Sequence, residues 1–399
     1  VPVTVQDLVL HSTNMVVSDS MTVTNSMLFD GSSLTLLGNL TLNGGVLNWN
    51  HAIAPSLRFF TNSGTLSIPN DAHFGDDGPT NYAAFVNQGD IFSDSQTINA
   101  DYLEISGPGG TGNETFVSDF AATCKTGVVV NAEIFSENNI QFFAGSLQFK
   151  QATLFASGRL DFTVTNSLSD GGFTANNLFE CQKGFNLLIK PATGDLLGTT
   201  IRDTLLGEDA VDHFWAGHDF GTNVMGYSNN VAIGTLALST NSTLPGFEPL
   251  FQFTGASANN GMYVSNLDLS MLDDYANEIQ IDPNITIYFI SAKLNPGVNT
   301  GIQTPEQFLD GQFGGHLRWM QGVTSLVTKT TLSGNYKSGN KFQINLSGVS
   351  SGQTNIIEAS TNLVNWIPIY TNTGFGSMTF TDSAAANFHS RFYRTRTLP

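Results

Sequence analysis

Charge is scarce in this chain, and positive charge is scarcest. Only 12% of its 399 residues are charged, 15 basic against 33 acidic, about half the usual share. A nucleic-acid binder needs a basic footprint, and most of the chain has none. Cysteine is nearly absent as well, with Cys124 and Cys181 alone. That excludes a disulfide-dense scaffold, and the spacing fits no zinc motif. As a pair they are a disulfide candidate worth roughly 4 kcal/mol in loop entropy; two buried free thiols are the alternative. No apolar run reaches the ~18 residues of a membrane span. Long helical patterns are missing, as are a Gly-x-Ser-x-Gly elbow and a phosphate loop.

What is present is strand sequence. Leu34-Thr35-Leu36, Leu40-Thr41-Leu42, Thr65-Leu66-Ser67-Ile68 and Leu147-Gln148-Phe149 alternate apolar with polar. Such runs bury one face and wet the other. With 30 Phe and 40% hydrophobic residues, apolar area is ample and the composition is not that of disorder. Asn43-Gly44-Gly45, Asn62-Ser63-Gly64, Asn87-Gln88-Gly89 and Gly109-Gly110 punctuate the first half at intervals of about one solenoid coil. The expected fold is all-β: a β-solenoid or β-helix-like region over 1–190, a β-sandwich over 191–322, a polar linker over 323–340 and a small C-terminal β-sandwich over 341–399. One short helix is expected at 305–310, with Thr304 as N-cap, Pro305 in the first turn and Gln307 at the third position. The core of the last unit should hold Phe342, Ile344, Ile356, Trp366, Ile369, Phe380, Phe392 and Tyr393.

That last unit carries a resemblance. Glu358-Ala359-Ser360-Thr361-Asn362-Leu363-Val364-Asn365-Trp366, followed by Phe380-Thr381-Asp382 and Arg391-Phe392-Tyr393-Arg394, resembles a C-terminal module of secreted β-rich proteins of Verrucomicrobia-type bacteria. Gly194–Ile201, Tyr288-Phe289 and Leu317-Arg318-Trp319 resemble the body of similar proteins. The resemblance implies an extracellular or surface-associated β-protein and names no activity. The chain opens at Val1 without Met, which we read as an exported product freed of its signal.

Residues equipped for chemistry are few. Asp76-Asp77 and Asp273-Asp274 are adjacent, and neighbours on a strand face opposite ways, so neither pair can flank one glycosidic bond from a strand. We therefore expect no enzyme and no cofactor. Calcium is the one metal the loop carboxylates suit, with Asp76, Asp77, Asp170, Asp273 and Asp274 as ligand candidates. His213, His218 and Asp219 lie close in sequence, and a polar turn explains them better than a metal.

Charge is also unevenly placed. Lys337, Lys341, Arg391, Arg394 and Arg396 against Glu358 and Asp382 leave 336–399 at +3, and the rest of the chain at −21. The first strand, Val1–Gln6, alternates with nothing polar ahead of it. These features point to a homopolymer: a filament or surface-layer subunit that pairs Val3 and Val5 with a neighbour's edge and aligns through Arg391, Arg394 and Arg396. The rival expectation is a monomeric adhesin or carbohydrate-binding protein, with Trp49, Phe59 and Tyr82 stacking on polysaccharide.

Overall fold

Strands dominate because nothing in the sequence sustains a helical period. The computed structural model describes residues 3–11, 14–30, 33–36, 40–42, 47–50, 59–63, 65–68, 72–74, 82–107, 113–170, 172, 175–206, 210–241, 249–323, 331–337, 341–349, 354–372 and 376–398. The chain divides into two compact units, one covering 1–170 and 176–321, the other most of the remainder, 322–399.

The first unit is a β-solenoid whose described strands all pair in parallel within one 28-stranded sheet. Ser95–Ser106 pairs with Asp119–Val130, which pairs with Ile140–Lys150, which pairs with Leu160–Ser169. Each step advances 20 to 25 residues in sequence: Gln96 opposes Phe120, Phe120 opposes Ile140, and Leu160 opposes Phe185. The coils from Ser95 to Cys181 present three faces. The long strands turn a corner between the first and second. Pairing skips Asp101, Lys125 and Gly145 there, and resumes at Tyr102, Thr126 and Ser146. The corner explains Gly145, where a Cβ would stand 2.5 Å from the Lys125 carbonyl oxygen. Short strands such as Ala132–Ser136, Thr153–Ala156 and Asn177–Cys181 form the third face.

Parallel registry places like upon like inside. Ile140, Phe142 and Ala144 point inward from one face, and Leu147 and Phe149 from the next. Phe142 stacks on Phe162 at 6.0 Å, and Phe149 meets Phe179 edge-on at 4.9 Å. Such aromatic pairs add about 0.5–1.5 kcal/mol each beyond their burial. Polar side chains also stack: the Asn62 amide donates to Asn87 Oδ1 at 2.8 Å, one coil away.

The solenoid runs further than the sequence indicated. The strands Leu196–Leu205, Ile233–Thr240, Asn260–Met271 and Ile285–Leu294 continue the same parallel ladder to Leu317–Trp319. The expected sandwich over 191–322 is therefore corrected to further coils. The coils lengthen here, because Trp215 opposes Gly255, forty positions on, and the extra residues form excursions. One excursion, 216–232, is clasped by tyrosines. Tyr263 donates to the Gly221 carbonyl at 2.8 Å and accepts from the Phe220 amide at 2.7 Å, and Tyr288 donates to Asp219 Oδ1 at 2.8 Å. Gly226 lies so close to the Tyr263 ring that a Cβ would sit 2.0 Å from it.

The last coil is covered. The helix Pro305–Leu309 forms with the expected capping box between Thr304 and Gln307. Leu309 is buried, Phe308 and Phe313 pack against the core, and the Ala292 amide donates to Glu306 Oε1 at 3.0 Å. The first coil differs: among the described residues Val3–His11 pairs with Met21–Asp30 and no other strand.

The second unit holds two three-stranded antiparallel sheets. Lys341–Val349 is central in one, and Thr354–Ser360 is central in the other. Thr331–Lys337 is an edge strand of the first, so the expected linker over 323–340 is in part a strand; 324–330 and 338–340 lie outside the described residues. Ile344, Leu346, Ile357 and Ala359 are the buried centre. Phe392, expected in the core, is 40% exposed, and its neighbour Tyr393 instead stacks on Phe342 at 5.0 Å.

The 229–232 turn of the solenoid hangs on one carboxylate. Asp195 accepts the amides of Asn229 at 2.7 Å, Asn230 at 3.0 Å and Ala232 at 3.0 Å. Burial nevertheless pushes its carboxyl up to about 7, the three amides pulling the other way and Asp170 adding repulsion. A carboxyl raised on folding binds its proton more tightly in the native state. Its contribution is full below pH ~4 and is lost as pH rises through about 7. Measured by urea midpoints across that window, the stability advantage of wild type over Asp195→Asn should shrink with rising pH. We expect roughly 1–2 kcal/mol, below the full shift because the carboxylate keeps some contact with water.

Candidate functional site

The residues singled out from sequence scatter, and most are structurally engaged. Asp170 is buried, its Oδ2 accepting from the Gly198 amide and the Thr199 hydroxyl, both at 2.7 Å. Asp273 Oδ1 accepts from Asn295 at 3.0 Å and Asp274 Oδ2 from Asn277 at 2.8 Å. Asp76 and Asp77 lie outside the described residues. Among the described residues no group of three or more His, Cys, Asp or Glu is arranged to hold a metal.

Cys124 and Cys181 are both free and buried, so the disulfide candidate is corrected to two thiols. They sit in different strand stacks, Cys124 against Ala100 and Ala144, Cys181 against Ala156 and Asp203. Burial pushes the Cys124 thiol up to about 12 and raises that of Cys181 well above its ordinary range, so neither is a ready nucleophile. His213 lies wholly inside the solenoid. Its Nε2 is 2.7 Å from Asp203 Oδ2 and its ring stacks on Phe253 at 4.5 Å. His218 is outside, against Phe220.

The expected contact arginines have partners within their own unit. Arg394 Nε lies 2.7 Å and Arg396 Nε 3.3 Å from the Glu358 carboxylate, and Arg391 Nε lies 2.8 Å from Asp382. Arg394 also covers the Trp366 ring at 4.3 Å. These hydrogen bonds, that to Arg394 first, hold the Glu358 carboxyl below its usual range. Val5 packs against its own core, whereas Val3 is 47% exposed. The side chains of Trp49, Phe59 and Tyr82 lie outside the described residues.

What the fold does build is a groove of about 430 Å³ on the outer surface of the first face. Two rows line it. Arg159, Asp212, Gln252 and Gln280 belong to the first, each from a different coil, with Asp212 opposing Gln252 and Gln252 opposing Gln280. Asn186, Phe214, Thr254 and Asp282 belong to the second, with Phe214 opposing Thr254. Leu188 completes the wall. The hollow has a local cause: Gly184, at φ +97°, occupies the coil between Arg159 and Asp212 and adds no side chain.

Strand alternation fixes which residues face out. Phe185, Leu187, His213, Trp215, Phe251 and Phe253 point in, so Asn186, Asp212, Phe214 and Gln252 point out. Asn186 is nearly buried and braces the floor. Its Oδ1 accepts the Phe214 amide at 2.7 Å and its Nδ2 donates to Asp161 Oδ1 at 2.7 Å. Gln252 donates to Gln280 at 3.3 Å, forming an amide ladder across coils. Asp212 and Asp282 are two strands and two residues apart, about 12 Å between Cα atoms. The set offers hydrogen-bond donors and acceptors, one aromatic ring and little net charge. No family model matches the chain, and no curated protein or solved structure matches it.

Sequence reading missed this groove. Its register-opposed members lie 28 to 40 positions apart, as Gln252 and Gln280 or Phe214 and Thr254 do, and only the register of five coils brings them together. Asn186→Ala tests the brace. It strands the Phe214 amide and should cost about 1–3 kcal/mol, read as a lower urea midpoint with faster hydrogen exchange at Phe214.

Proposed function

We propose that this chain is an extracellular, surface-associated carbohydrate-binding protein that holds its ligand in the first-face groove. One observation carries the reading: amide and carboxylate side chains from successive coils line an open trough around a half-buried phenylalanine. Sugars ask for that combination. Their hydroxyls pair with Asn, Gln and Asp, and the C–H face of a pyranose ring lies on an aromatic ring. The resemblance of residues 358–394 to a module of secreted proteins supports the location. Purified chain on a glycan array should retain a set of related glycans and release them to free oligosaccharide. A blank array would end this reading.

Self-assembly is the second reading, and the strand Val3–His11 favours it. The strand has one described partner, and Val3 and Val9 are 47% and 52% exposed on it. Among the described residues only one side of this strand has a strand partner, and such an edge is a template for strand addition. The charge-complementarity part of the filament expectation loses support, since Arg391, Arg394 and Arg396 answer Asp382 and Glu358 of their own unit. The helical cover on the last coil likewise argues against coil-upon-coil stacking at that end. Light scattering decides: wild type should form particles larger than a monomer, and a Val3→Lys/Val9→Lys variant should remain folded and monomeric. A monodisperse wild-type monomer would remove the assembly reading.

A further inference from the structure

The groove's charge and direction narrow its ligand, on the premise that the groove binds carbohydrate. We infer that the ligand is a neutral polysaccharide laid across the coils, along the solenoid axis, with one sugar ring on Phe214.

Direction follows from the repeat. Along a strand the first face is short: 185–189, 211–215 and 251–255 are each five residues before the chain turns away. Across the coils the same face is long. Arg159, Asp212, Gln252 and Gln280 lie on a row that spans five strands, four intervals of about 4.8 Å or roughly 19 Å. A glycan advances by a similar step per sugar, so each unit meets an equivalent position on the next coil. Phe214 sits in the adjacent row, half-buried, its backbone held by Asn186. The Gln252–Gln280 ladder lies beside it and offers both donors and acceptors to hydroxyls.

Neutrality follows from charge. The groove sets Asp212 and Asp282 against Arg159, and the chain carries −18 overall. A polyuronate brings a negative charge on every sugar, with one guanidinium to meet it, so it is repelled both at long range and on contact. A cationic glycan would be drawn to the acidic surface at large, without preference for this trough, and salt would release it. Neutral sugars incur neither penalty.

The test uses the intact chain and calorimetry with three probe series of increasing length: neutral gluco-, xylo- and manno-oligosaccharides, oligogalacturonates, and chitosan oligomers, each at low and high salt. One neutral series should bind, gain affinity up to roughly four sugars, one per strand interval, and ignore salt. Phe214→Ala and the Gln252→Ala/Gln280→Ala pair should each weaken it roughly tenfold or more. Phe143→Ala, 41% exposed on Ile140–Lys150 three coils before Phe214, serves as the folded control and should not. Tighter, salt-sensitive binding of the uronate or chitosan series overturns the inference while leaving carbohydrate binding intact. Neutral binding untouched by the Phe214 and Gln variants overturns it too, placing the site elsewhere. Binding of no series removes the carbohydrate reading itself.

Discussion

Parallel stacking of one coil on the next is the constraint from which the rest of the solenoid unit follows. Along a strand, backbone N–H and C=O groups pair with the neighbouring coil, whose strand lies about 4.8 Å away. No coil can bury its own inward side chains alone. Registry then makes each inward position a column. Phe142 falls on Phe162 and Asn62 on Asn87, so aromatic meets aromatic and amide meets amide. Buried polar side chains find partners in the same way, as Asn62 does in Asn87 and His213 in Asp203.

The same registry organises the outer surface. An outward residue repeats its position from coil to coil, so scattered sequence positions become a straight row. Gly184 widens the row into a trough, and Asn186 fixes the height of Phe214 within it. The trough is built on strands braced from behind by the core. Longer coils after Leu205 add excursions without breaking the ladder, and the tyrosine clasp around 216–232 shows how one is tied down.

In the second unit, the motif residues that carry the family resemblance have structural work. Glu358 is the hub, taking Arg394 and Arg396, while Arg394 lies over Trp366. Asn362 Oδ1 accepts the Val364 and Asn365 amides and shapes the turn that leads to that tryptophan. Asp382 serves Tyr393 and Arg391 in the same way. A basic excess read from sequence as a docking surface is thus largely internal pairing. Exposed charge and paired charge have the same composition, and only contacts distinguish them.

Composition and alternation by themselves determined the all-β class, the solenoid character of the first half, the separate C-terminal unit and the capped helix at Thr304. Each is a local property: period-2 burial, turn residues at coil spacing, and a capping box within four positions. Tertiary structure alone decided that strands beyond residue 190 stay in the solenoid, because a strand's sequence does not say whether its partner runs parallel or antiparallel. It alone decided that Cys124 and Cys181 stand apart in separate stacks, and that Asn186, Asp212, Phe214, Gln252 and Gln280 share one groove. Such proximity depends on which coil lies beside which and in what register. That information resides in hydrogen bonds between residues 20 to 40 positions apart and in no short stretch of the chain.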